Sequence, residues 1–167
     1  MTSRFNVNVF MCEYADENVT NIKNICDTIK LPDNNKISFD LVTSINSLNY
    51  EEESFIFVYA IEKLNAGNKL NQVMVLAVDE IESQVIDEKS ENTNQYGHVV
   101  KSSIPNSGQS TNVLHLKDVF FPEIGFYEIQ VYMFLPKDIG EDVDLKKIDT
   151  EFLRKEHIVC TYGFEII

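Results

Sequence analysis

Apolar side chains recur at every second position in several separate stretches of this chain, and that period admits one kind of element. Successive side chains of a strand point to opposite faces, so such a run presents one apolar face and one polar face. Phe5, Val7, Val9 and Met11 form an apolar face, and so do Ile37, Phe39, Leu41 and Ile45, set against a wet face of Ser38, Asp40 and Ser44. Residues 158–166 repeat the pattern with Ile158, Cys160, Tyr162, Phe164 and Ile166, which predicts a terminal strand integral to a sheet. Ile25, Ile29 and Leu31 read as one further strand, with Asp27 on the same face.

Two stretches differ in an informative way. Ser54–Lys63 is apolar on both faces, as expected of a strand covered on both sides. Asn65, Gly67 and Asn68 then supply residues that tolerate positive φ, and Gln72–Val78 follows, so the pair reads as a hairpin. Strands at such spacing, separated by turn residues, predict an all-β fold: a two-layer antiparallel β-sandwich, Ig- or C2-like, of about seven to nine strands with at most one short helix. The whole chain, 1–167, reads as a single domain of that kind.

Two segments interrupt the pattern. Residues 79–110 are polar and acidic and read as a long insertion, in which only Tyr96–Ile104 has strand character. Residues 136–156 read as an acidic loop, with Asp149 placed to cap a short helix over Thr150–Lys155. Glu51, Glu52 and Glu53 mark a turn ahead of the strand at Ser54.

The segment Val119–Phe134 concentrates aromatic residues. Pro122 fixes φ, and Gly125 can take the left-handed conformation, so together they predict a turn. Beyond it, Tyr127, Ile129, Val131, Met133 and Leu135 are assigned to the core face, and Phe126, Glu128, Gln130, Tyr132 and Phe134 to the other. A Tyr two residues after the turn Gly can bond its phenol back to the turn.

Charge narrows the partners. With 27 acidic and 14 basic side chains the net charge is −13, a field that repels phosphate backbones and argues against direct nucleic-acid binding. The closest basic grouping, Lys146, Lys147, Arg154 and Lys155, is interleaved with acids. No apolar run approaches the roughly 18 residues of a membrane helix, and residues 1–10 lack the charged-then-apolar order of a secretory signal, so the expected compartment is cytoplasmic, with no membrane partner. Cys12, Cys26 and Cys160 are odd in number and widely spaced, which fits small buried hydrophobes better than a disulfide framework or a zinc motif. Asn18-Val19-Thr20 matches a glycosylation acceptor, without weight in that compartment.

Catalytic patterns are absent from the sequence. His98, His115 and His157 lie far apart, and His115, between Leu114 and Leu116, is expected to face solvent. No Gly-x-Ser-x-Gly elbow is present, and no two of the six glycines lie within four residues of each other, which excludes phosphate-cradling loops. Asp138, Glu141, Asp142 and Asp144 offer carboxylates in residues 138–144, but their spacing is not that of an EF-hand, and a solvated loop is the expectation. The sequence therefore supplies no catalytic, cofactor-binding or metal-binding residue.

Cys12, Glu13, Tyr14 and Ala15, then Asp27, Thr28 and Ile29, then Phe121, Pro122, Gly125 and Tyr127 resemble motifs of a family of small bacterial and phage-borne proteins without assigned activity. The resemblance implies a β-sandwich and carries no catalytic residues with it. The functional expectation is a non-enzymatic protein-interaction module of a bacterium or mobile element, whose partner presents a basic surface. Three alternatives stand beside it: an acidic inhibitor imitating DNA to a host nucleic-acid enzyme, a carrier or enzyme with a pocket between the sheets, and an assembly protein forming a homodimer.

Overall fold

The computed structural model describes residues 5–47, 54–64, 73–82, 98–103, 108–140, 153 and 155–167. Ten strands run through them: β1 (Phe5–Ala15), β2 (Ile22–Ile25), β3 (Thr28–Ile29), β4 (Lys36–Ser47), β5 (Ser54–Leu64), β6 (Val73–Glu82), β7 (His98–Ser103), β8 (Gly108–Phe120), β9 (Gly125–Phe134) and β10 (Ile158–Ile166). They form a four-stranded sheet of order β2-β1-β4-β8 and a six-stranded sheet of order β3-β10-β9-β5-β6-β7. The fold is the expected all-β sandwich.

The two sheets meet over one apolar interior, built from the alternating positions. Val7, Val9 and Met11 of β1 and Phe39, Leu41 and Ile45 of β4 face Phe57, Tyr59 and Ile61 of β5 and Tyr127, Ile129 and Val131 of β9. Each fully buried aliphatic or aromatic side chain contributes about 1.5–3 kcal/mol relative to exposure, so this layer dominates the stability. Phe121 sits at its aromatic end, edge-on to Tyr127 at 5.2 Å and to Phe164 at 6.0 Å, and tilted against Phe39 at 6.3 Å. Edge-to-face pairs of this kind add to the area they bury.

β5 is buried on both faces, as its sequence requires, because a second apolar cluster covers the outside of the six-stranded sheet. Ile56, Val58 and Ala60 pack there with Tyr132, Phe134 and Ile139. Ile139 belongs to a one-turn helix, α1 (Pro136–Ile139), which lies across β5. The side of β9 assigned away from the core is thus itself half covered, since Gln130, Tyr132 and Phe134 are buried.

Several expectations change in detail. The strands among the described residues number ten rather than seven to nine, and two pairings are parallel, β3 with β10 and β6 with β7. Ile25 and Ile29 do not share a strand. β2 pairs with β1 in one sheet and β3 with β10 in the other, so the chain crosses between layers at Cys26 and Asp27. Backbone bonds hold the crossing, with the Cys26 N–H donating to the Met11 carbonyl at 2.8 Å and the Glu165 N–H to the Asp27 carbonyl at 2.9 Å.

The polar insertion is also narrower than 79–110. β6 continues to Glu82 and β8 begins at Gly108, because pairing with β5 and β4 outweighs the polarity of these residues, while β7, His98–Ser103, lies within the Tyr96–Ile104 stretch expected to have strand character and pairs with β6. Asp79 points inward and is buried. The helix expected over Thr150–Lys155, the turn at Glu51–Glu53 and the carboxylates 141–144 lie outside the described residues, apart from Lys155, which begins a 3-10 turn, Lys155–His157.

Candidate interaction surface

One end of the sandwich is organised by the turn between β8 and β9. The Phe121 N–H donates to the Asn35 carbonyl at 2.8 Å, and the Asn35 side chain donates to the Pro122 carbonyl at 3.2 Å, so the turn is tied to the loop before β4. Gly125 has φ +141°, positive as expected but well beyond the left-handed helical value. A Cβ there would meet the Lys63 Cε at 3.1 Å, so the glycine also lets the β5 lysine lie close. Lys63 in turn forms an ion pair with Glu123 at 2.5 Å. The Tyr127 phenol donates to the Glu123 carbonyl, as its position after the glycine predicts. Burial pushes that phenol above its usual pKa, partly opposed by Lys63.

Fixing the turn leaves apolar side chains in water. Leu64 and Phe126 are direct cross-strand partners on the solvent side of β5 and β9, and they are 43% and 59% exposed. Ile124, in the turn itself, is 61% exposed, and Ile167, next to the Ile166 that pairs with Gly125, is 56% exposed. Carboxylates flank them: Glu123 in the turn, Glu165 as the β10 partner of Phe126, and the facing pair Glu62 and Glu128 further along β5 and β9.

The Glu62–Glu128 pair puts two like charges directly opposite each other, an arrangement that costs stability in a sheet. A buried amide offsets it. Gln130 Nε2 donates to Glu62 at 2.5 Å and to Glu128 at 3.0 Å, while its oxygen accepts from the Tyr132 phenol at 2.5 Å. Burial pushes the Tyr132 phenol up, and the two carboxylates push it the same way. The result is an apolar rim with fixed negative charge beside it. Alternation along β9 puts Phe126 and Glu128 on the outward face, but Leu64 and Phe126 meet only through strand pairing, so the sequence alone does not mark this end.

Other groups that chemistry could use are placed less suggestively. Cys12, Asp40 and His115 fall in one cross-strand row on the outer side of the four-stranded sheet. His115 does not simply face solvent: its Nδ1 lies 2.8 Å from Asp40 Oδ1 and its side chain is only 23% exposed. Asp40, expected on a wet face, is buried, because its other oxygen accepts the Ala15 N–H at 2.7 Å and the residues around Cys12, Ala15 and Val42 cover it. The order of the row works against a thiol nucleophile, since the acid stands between thiol and imidazole rather than behind the imidazole.

The thiols themselves are held protonated. Burial pushes Cys12 up to about 11, with Asp40 adding to it, and Cys160 up to about 12. All three cysteines are free, but only Cys12 is fully buried, so the small-hydrophobe reading holds completely for that one. Asp138 accepts the Leu135 N–H at 3.0 Å and so starts α1. His157 lies against the Phe134 ring at 4.6 Å. Among the described residues no group of three or more His, Cys, Asp or Glu could hold a metal ion, and no helix is long and apolar enough to cross a membrane.

The geometry defines a class, a two-sheet β-sandwich with a charged apolar rim at one end. No family model matches the chain, and no curated protein matches it. Among solved structures, a β-glucosidase from Listeria innocua in complex with glucose aligns at 8% identity and TM-score 0.49 over 99% of this chain. The chain spans only 16% of that enzyme's length. An alkylpurine DNA glycosylase from Pseudomonas fluorescens, bound to DNA containing an abasic site analog, aligns at 11% identity and TM-score 0.42, over 100% of this chain and 31% of its own.

Proposed function

We propose that this chain is a non-enzymatic protein-interaction module that docks a partner through the turn end of its six-stranded sheet. The observation that carries the reading is the meeting of Leu64, Ile124, Phe126 and Ile167, all exposed, beside Glu123, Glu128 and Glu165. Apolar anchors supply the desolvated centre of an interface, and a charged surround supplies orientation and a faster encounter. With a net charge of −13, the matching partner presents basic side chains around an apolar centre. Bacterial or phage origin, as the motif resemblance implies, belongs to the same proposal.

A photo-crosslinking residue placed at Phe126, with a second placement at Lys117 as control, tests this in cells of the source organism. The expected result is a discrete heteromeric adduct from position 126 that is lost in the Leu64→Ser variant and weakens as salt is raised in extracts. An adduct between two copies of the chain would replace the partner with a homodimer. Equal, diffuse labelling from both positions would remove the reading.

A further inference from the structure

The charged side of the rim holds an arrangement that folding alone does not explain. Glu62 and Glu128 stand directly opposite each other on β5 and β9, where an opposite charge would have stabilised the sheet. Among the described residues, ion pairs join Lys63 to Glu123, His115 to Asp40 and His157 to Glu156, and none reaches Glu62 or Glu128. What braces the two carboxylates is neutral. The Gln130 amide nitrogen donates to both, at 2.5 Å and 3.0 Å, and the Tyr132 phenol donates to the Gln130 oxygen, so the amide is kept from turning over. The pair is held in place with its charge intact.

Beside it the outer face of the sheet is open. Gly163 is the β10 partner of Glu128, and Glu165, two residues on, pairs with Phe126. The glycine and the Phe126 ring are therefore diagonal neighbours on one face, within an aromatic side chain's reach. Yet a Cβ at Gly163 would meet no heavy atom within 4 Å, so neither the ring nor the carboxylates fill the space above it. The backbone does not call for glycine here either, since the positive-φ glycines among the described residues are Gly125 and Gly140. A glycine inside a strand weakens it, and one that no bend or turn requires marks a place where something else approaches closely.

We infer that this recess seats an arginine side chain of the docking partner, its guanidinium over Gly163, beside the Phe126 ring and bridging Glu62 and Glu128. The inference rests on the docking reading above and names what the partner brings. Charge complementarity selects a cation, and the geometry selects among cations. A metal ion between the carboxylates would meet the Gln130 N–H groups rather than oxygen donors. A guanidinium instead presents a planar fork of donors to the outward carboxylate oxygens while its flat face lies against an aromatic ring, which a lysine ammonium does less well.

Titration of the full chain with acetyl-Leu-Arg-Leu-amide, followed by backbone amide shifts, tests this against the same peptide carrying citrulline, which keeps the shape and loses the charge. Shifts centred on Phe126, Glu128 and Gly163 are expected, with binding about tenfold or more weaker for citrulline. Gly163→Val fills the recess and Glu128→Gln removes the like-charge pair. Each is expected to weaken the arginine peptide about tenfold while leaving the urea midpoint equal or higher. Equal binding of the two peptides, shifts centred elsewhere, or parent-like binding in both variants would overturn the inference. Should a variant fail to fold, the comparison of the two peptides on the parent chain decides alone. The two readings separate in the crosslinking experiment: a heteromeric adduct from position 126 that Gly163→Val leaves unchanged sinks the arginine seat and keeps the docking face. If no such adduct forms, the docking reading falls, and the peptide titration still decides whether the recess takes arginine.

Discussion

The Tyr127 phenol donates a 2.6 Å hydrogen bond to the carbonyl of Glu123, closing the turn that leads into β9 from its buried side. The ring stacks on Phe164 at 5.8 Å, so the bond also sets where the aromatic end of the core lies. Tyr127→Phe keeps the ring and removes the bond. It is expected to cost about 1 kcal/mol, read as a lower urea midpoint at unchanged slope. Gly125→Ala at the same turn is expected to cost about 1–3 kcal/mol, since alanine resists a φ of +141° and its Cβ would press on the Lys63 stem.

Phe121→Ala is expected to be the more damaging change at this end. Phe121 is 1% exposed and touches Phe39, Tyr127 and Phe164, so truncation leaves a cavity among rings that cannot collapse freely. The expected loss is about 3–5 kcal/mol in chemical denaturation. The Phe126 ring, by contrast, stands largely in water, and Phe126→Ser is expected to change stability by no more than about 0.5 kcal/mol.

Asp40→Ala would strand the buried Ala15 N–H and leave His115 Nδ1 without its carboxylate. An orphaned buried donor costs about 1–3 kcal/mol, and equilibrium unfolding should show a loss in that range. His115→Ala should cost less, because the Asp40–Ala15 bond survives it.

Alkaline pH should destabilise the fold through its thiols. Cys160 is raised to about 12 and Cys12 to about 11 from an ordinary value of 9.0, so above 9.0 the unfolded chain releases protons that the folded chain retains. The stability they contribute is complete below that ordinary value and drains away as pH rises toward the folded values. Unfolding measured from about pH 8 to about pH 11 should show a falling midpoint, with a shallower fall in Cys160→Ala.

Much of the architecture was legible because the period of two is a local property. The inward sets on β1, β4 and β9 could be written down from residue identities, and so could the bond from Tyr127 back to its turn. Legibility failed where tertiary pairing decided. Ile25 and Ile29 share a face in a continuous strand, but separate sheets claim them. Asp40 alternates with apolar residues as a wet position should, yet the backbone N–H of Ala15, on the neighbouring strand, draws it under cover. The apolar rim was hidden for the same reason: Leu64 and Phe126 are far apart in sequence and become neighbours only when β5 meets β9.

The crossing at Cys26 and Asp27 has a mechanical meaning. Because one short run is laddered to β1 on one side and to β10 on the other, it acts as a clasp between the layers. Sliding or prising the sheets apart would have to tear hydrogen bonds from both at once, so the two halves of this protein should yield together rather than one after the other.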